Sequence, residues 1–206
     1  MGKHYLVKST SHPITRGGPS ADGEYDDYKG GIKRQYTYTF CMRKNIYDAL
    51  LKLADDQNDS EALEQVKNTI KDSSDDVYLT IKNYKSESGL SNFIHNASES
   101  DQKQIFQVKG PMGIGLGVEN HGTHVAFAAG TGVLPFIDLV GHILLQLVDK
   151  DYVLEEAGIK TSYDDITIDI DNFNFQLYFS YSNEEEAVCL QLINKVKELC
   201  EKFEKP

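Results

Sequence analysis

The stretch KGPMGIGLGVENHGTHVAFAAGTGVLP, residues 109–135, decides how this chain is read. It holds a glycine-proline turn at Gly110-Pro111, an apolar run of small residues, and a second glycine turn, Gly130-Thr131-Gly132, that opens into a helix. Residues 125–129 read as a short, fully buried strand. Residues 133–148 read as an amphipathic helix with apolar side chains at helical spacing. Two glycines around Thr131 let the backbone approach a ligand closely, and the helix start behind them offers N–H groups and positive partial charge to an anion. A phosphate-bearing nucleotide is the natural guest, and a tight turn without a ligand is the plain alternative.

Composition narrows the options. The chain has 206 residues, 40% of them hydrophobic and 26% charged, which is enough to bury a core as one large or two small domains. A formal net charge of -11 argues against a nucleic-acid partner, which requires clustered Lys and Arg, and against an anionic membrane surface. Cys41, Cys189 and Cys200 are an odd number without CxxC spacing, so neither a disulfide framework nor a zinc site is expected. An intracellular, reducing compartment fits, cytoplasmic or mitochondrial, and the N-terminus shows no cleavable signal. Residues 125–148 are apolar over a membrane-spanning length, but Pro135, Asp138 and the glycine turn interrupt them, so no transmembrane segment is expected.

Outward from the central stretch, residues 1–31 read as a polar, irregular arm with Gly17-Gly18-Pro19 and Gly30-Gly31 as turn signals, ending in a strand over 34–42. Residues 45–54 and 60–70 read as helices, the first with Ile46, Ala49, Leu50 and Leu53 on one face. Residues 77–81 alternate as a strand, 90–96 suggest a short helix, and 104–108 another strand ending at Gly110-Pro111. Beyond the long helix come an acidic loop with Asp164 and Asp165, a buried strand over 174–181, and an amphipathic helix over 184–203. Strand, helix, strand, helix is the start of a doubly wound sheet.

Four segments in this order resemble the ferredoxin-NADP reductase superfamily, in particular its cytochrome b5 reductase branch, over most of residues 32–203. Arg34-Gln35-Tyr36-Thr37 is similar to the family's R-x-Y-[ST] flavin motif. The resemblance implies that Arg34 neutralises the flavin pyrophosphate, Tyr36 packs against the flavin and Thr37 bonds near its ring. A planar guanidinium suits phosphate oxygens. Ile81-Lys82-Asn83-Tyr84 resembles the strand lining the flavin, with Lys82 and Tyr84 as contacts. Gly89-Leu90-Ser91 resembles the turn and helix start that receive the diphosphate. Lys109 to Gly113 is similar to the GPxG turn closing the flavin barrel, and Ala129 to Pro135 to the [AG]GTG[IV]xP signature of the pyridine-nucleotide domain, which implies Gly130, Thr131, Gly132 and Pro135 as cofactor contacts.

The fold so implied is α/β plus β: a shortened flavin-binding β-barrel with a helical insert, then a partial doubly wound parallel nucleotide-binding domain. Its divisions are an arm (1–31), an FAD-binding-type barrel (32–118) with the insert at about 44–72, and a partial NAD(P)-binding domain (119–206). The pattern departs from the family in three places. Only 33 residues precede Arg34, 39 residues (38–76) separate the two flavin segments, and no CGPxxM-like segment follows residue 203. Two functions follow from the resemblance. One is an NAD(P)H-dependent flavoprotein reductase using FAD and NAD or NADP, in which the cofactor carries the chemistry and no catalytic acid or base is assigned. The other is a non-catalytic, reductase-derived subunit of a larger complex, with a protein partner covering the incomplete sheet edge. No metal is expected. His121 and His124 read as a solvent loop, and His142 as a satisfied, partly buried side chain.

Overall fold

The computed structural model of the chain describes residues 2–9, 33–71, 77–82, 89–98, 106–149 and 168–203, so Tyr84 and the Asp164-Asp165 pair lie outside the described residues. In chain order the elements are strands β1 (His4–Ser9) and β2 (Lys33–Thr37), helices α1 (Lys44–Asp55), α2 (Ser60–Lys71) and α3 (Leu90–Ser98), strands β3 (Phe106–Met112) and β4 (Gly122–Ala129), helix α4 (Leu134–Val148), strand β5 (Phe173–Ser180) and helix α5 (Leu190–Lys202). Single 3-10 turns lie at Phe40–Met42, Gly130–Val133 and Glu184–Glu186. The chain divides into two compact units.

The smaller unit comprises His4–Thr37 and Leu79–Gly113. Its sheet has three strands in the order β2-β1-β3, both pairings antiparallel, with Val7 opposite Arg34 on one side and Val108 on the other. The central strand β1 arises from residues expected to be irregular; its alternation buries Tyr5, Val7 and Ser9 on one face. β3 runs through Gly110-Pro111 to Met112 before the chain turns at Gly113, where φ is +91°. This sheet is open, which corrects the expected flavin-binding β-barrel. Closure needed residues 77–81 as a further strand, and they form only an isolated bridge at Leu79 instead of a ladder. Helix α3 lays Phe93 edge-on to Phe106 of β3, ring centroids 6.0 Å apart.

The larger unit comprises Met1–Lys3, Tyr38–Tyr78 and Ile114–Pro206. Its sheet is β4 and β5 alone, parallel and in register from Gly122 opposite Phe173 to Ala129 opposite Ser180, joined through α4. A two-stranded parallel pair corrects the expected partial doubly wound domain: among the described residues no third strand adds to either side. The two helices expected as an insert belong to this unit. Ile46, Ala49, Leu50 and Leu53 of α1 and Ala62 and Val66 of α2 join Ile137, Leu139, Leu144 and Leu145 of α4 and Leu192, Val196 and Leu199 of α5 in one buried cluster.

Local chemistry sets the ends of these helices. Asp59 caps α2, its Oδ1 accepting from the Ala62 N–H at 2.9 Å. Pro135 sits in the first turn of α4, where its missing N–H costs nothing. The expected helix over 184–203 is a 3-10 turn and α5, separated by extended Ala187 and by Cys189, whose left-handed φ of +60° a right-handed helix does not continue through. Ion pairs Lys67–Asp149 and Lys195–Asp55 link α2 to the end of α4 and α5 to the end of α1, each contributing roughly 0–1 kcal/mol at such partly exposed sites.

Gly141 makes the closest approach in this core. A Cβ there would stand 2.5 Å from Cys41 Sγ and 3.3 Å from Leu50 Cδ1. Gly141→Ala gains about 1 kcal/mol of helix propensity and meets an overpacking cost of about 1–3 kcal/mol, so a net loss is expected in urea unfolding. The double variant Gly141→Ala with Cys41→Ala should recover part of that loss; simple additivity would show that the sulfur is not the obstacle.

Candidate functional site

In the smaller unit, Arg34 and Tyr36 are two residues apart on β2 and therefore share a face, with Arg34 exposed and Tyr36 half-buried. The Tyr36 hydroxyl meets Ser91 Oγ at 3.0 Å, a hydrogen bond joining residues 55 positions apart. Ser91 lies in the first turn of α3. The first backbone bond of that helix runs from the Phe93 N–H to the Gly89 carbonyl, so the N–H groups of Leu90 and Ser91 precede the helical ladder. Gly89 holds φ at +114° with open space where a Cβ would be, and Leu90 beside it is buried. Thus two of the expected segments, R-Q-Y-T and G-L-S, come together. Thr37 ends β2 opposite His4, and Lys82 is exposed outside any strand.

In the larger unit, Gly130, Thr131 and Gly132 form a 3-10 turn at the C-terminal end of β4, closed by a bond from the Leu134 N–H to the Thr131 carbonyl. Gly130 has φ of +50°, and among the described residues nothing beyond the chain neighbours would stand within 4 Å of a Cβ at Gly130 or Gly132. Among the described residues no side chain caps the start of α4. Gly130 and Thr131 are half-buried and Gly132 is exposed, at the strand end where α/β sheets present ligands.

The strand leading to that turn differs from its expected burial. Ala126 and Ala128 point into the core, whereas Val125 is 51% and Phe127 76% exposed, so the strand is not fully buried. Phe127 stacks on Tyr178 of β5, itself 57% exposed, with centroids 5.0 Å apart and planes 14° from parallel. The other face of this sheet lies against the helices.

In the sequence the polar side of α4 reads only in parts, Asp138 as a break in an apolar run and His142 as a partly buried side chain. Asp138, His142 and Gln146 follow at i, i+4 and i+8, one face of the helix, and all three are buried. Asp138 accepts backbone N–H bonds from Phe40 at 3.3 Å and Cys41 at 3.1 Å, and Gln146 Oε1 accepts from the Ile168 N–H at 3.1 Å. The spacing was visible in the sequence; its partners, some 20 to 100 residues away, were not. Helix α4 with its preceding turn, Gly130–Val148, is long and apolar enough to cross a membrane, and 67% of that window is buried inside the protein.

Burial pushes the Asp138 carboxyl up to about 6, against the lowering effect of the two N–H donors. The cysteines beside it are held as thiols. Burial carries Cys41 well above the usual thiol range, with the Asp138 charge adding to it, and takes Cys189 up to about 12. Protonated, buried thiols supply neither a nucleophile nor thiolate ligands. Cys189 Sγ instead lies 2.8 Å from Met42 Sδ. His121 and His124 bond locally, Nδ1 of the first to Asn120 Oδ1 and Nε2 of the second to the His121 carbonyl. Among the described residues no group of three or more His, Cys, Asp or Glu could hold a metal.

Comparison with known proteins finds no matching family, no matching curated protein and no matching solved structure. The likeness to the reductases accordingly rests on the short motifs alone.

Asp138 carries a pH dependence whose sign is fixed. Its folded pKa lies above the ordinary 3.8, so the folded state binds the extra proton and stability falls as pH rises through the interval between about 4 and 6. Asp138→Asn removes that titration. Compared by urea unfolding, the variant should gain on the parent by on the order of 2 kcal/mol between pH 4.5 and 7, and a constant difference across that range would contradict the assignment.

Proposed function

We propose that the chain is a flavin-binding oxidoreductase module, taking electrons from NAD(P)H through FAD to an acceptor. The observation that carries this reading is the Tyr36–Ser91 hydrogen bond at 3.0 Å, which sets the arginine-bearing strand against the first turn of α3. The donor set fits a diphosphate: an exposed guanidinium on the same strand face, two hydroxyls, and helix-start N–H groups ahead of the first ladder bond. Because the sheet is open, binding rests on that phosphate grip rather than on an enclosing barrel. When bound, FAD supplies the hydride and electron chemistry. Arg34 neutralises phosphate charge, Ser91 and Tyr36 orient it, and the Gly130-Thr131-Gly132 turn separately offers a pyridine nucleotide its backbone. The acceptor is a protein or small molecule of unspecified class.

A second reading is favoured by a different observation, the exposed Val125, Phe127 and Tyr178 on a parallel sheet of two strands among the described residues. Parallel sheets are ordinarily covered on both faces. A subunit without turnover, held in a larger assembly by that face, accounts for the exposure.

Purified protein titrated with FAD discriminates the two. The reductase reading expects saturable, near-stoichiometric uptake with a yellow product that oxidises NADH or NADPH, and about tenfold or greater loss of FAD affinity in Arg34→Ala, since charge-assisted bonds contribute about 1.5–3 kcal/mol. Tyr36→Phe and Ser91→Ala should each weaken binding less. A colourless chain that ignores added FAD overturns this reading and leaves the assembly subunit.

A further inference from the structure

The outward face of the β4–β5 sheet is uncharged along its whole length. Its in-register rungs are Thr123 with Asn174, Val125 with Gln176, Phe127 with Tyr178, and Ala129 with Ser180. The apolar centre is the stacked Phe127–Tyr178 pair beside Val125. Carboxylates bracket it at both ends. Glu119, Asp169 and Asp171 stand where the strands begin, and Glu184, Glu185 and Glu186 form the turn after β5, all of them exposed. Neither flank, residues 119–121 with 168–172 or residues 181–186, contains a Lys or Arg.

From this pattern we propose that the face is a docking site for one amphipathic α-helix of another protein, apolar along its middle and basic at both ends. The dimensions select a single helix. Two strands about 4.8 Å apart and eight residues long present a strip roughly 10 Å wide and 26 Å long. A helix is about 10 Å across and covers that length in about 17 residues. A helix supplies the missing layer over a parallel sheet, which an added strand would leave bare. Charge disfavours the other occupants: a second copy would bring its own carboxylate-flanked face against these carboxylates, and an anionic membrane is likewise repelled by them. The geometry belongs to the larger unit alone, so the inference does not depend on flavin binding in the smaller one.

Selection from a displayed library of 20-residue helical peptides, all with an apolar stripe but with randomised charge at the ends, tests this on the full-length chain. The expected result is enrichment of Lys- and Arg-ended peptides, with affinity at least tenfold weaker for Phe127→Glu and for Tyr178→Glu, and progressively weaker binding as salt rises. Unchanged far-UV circular dichroism confirms that each variant is folded. Val125→Glu serves in place of either that is not, and the salt series on the parent chain stands without any variant. The proposal is overturned by peptides whose binding ignores Phe127, by enrichment of acidic or neutral ends, by light scattering that shows a dimer dissolved by Phe127→Glu, or by binding to phosphatidylserine vesicles through this face.

Discussion

One buried carboxylate organises the larger unit. Asp138 leaves water within the first turns of α4 and takes the N–H groups of Phe40 and Cys41 in exchange. Through those bonds the segment that leads into α1 is fixed against α4, and α1 in turn packs on α2, α4 and α5. One face of α4 thereby carries polar anchors while the rest of it is apolar core. Burying the charge is costly, which its raised pKa records, yet each oxygen has a donor. Specificity is what the arrangement gains. An apolar helix of this composition packs in many rotations, whereas Asp138 below and Gln146 above allow one.

This anchoring explains why the sheet is lopsided. The described helices of the larger unit gather on the α4 side, so Ala126 and Ala128 are enclosed and Phe127 and Tyr178 are not. Ring stacking between those two recovers some contact area without removing them from water. The glycine turn at the end of β4 inherits the same asymmetry: Val133 and Leu134 behind it lie in the core, and Gly132 is exposed. In the smaller unit the constraint is weaker. A three-stranded sheet with most of β2 and β3 exposed relies on Tyr5, Val7 and Leu90 for its interior, and on the Tyr36–Ser91 and Phe93–Phe106 contacts to seat α3.

Much of the local structure was legible in the sequence. The periods of α1, α2 and α4 are long and regular, and their observed bounds fall within one or two residues of the expected ones. Larger assembly was not legible, for identifiable reasons. Tyr5, Val7 and Ser9 alternate correctly for a strand, but a polar, glycine-rich surrounding hid them, and the centre of a sheet was read as an arm. Residues 77–81 alternate equally well and form no ladder, because a strand exists only where a partner edge receives it. Phe127 was read as buried because a continuous apolar run in a parallel strand normally has cover on both faces, and local sequence does not say how many layers are present. At the candidate site, motif resemblance singled out the segments that hold Tyr36 and Ser91 but not the hydrogen bond between them, and Asp138, which anchors α4 to the segment before α1, was noticed only as an interruption of an apolar run.

The proposed flavin site requires β2 and the start of α3 to act as one anion site. Amide hydrogen exchange with and without FAD tests this residue by residue, because a ligand on N–H groups slows their opening. Slowed exchange confined to residues 33–37 and 90–93 in the smaller unit is the predicted result. Unchanged exchange at both segments in saturating FAD, or protection appearing only elsewhere, would contradict it.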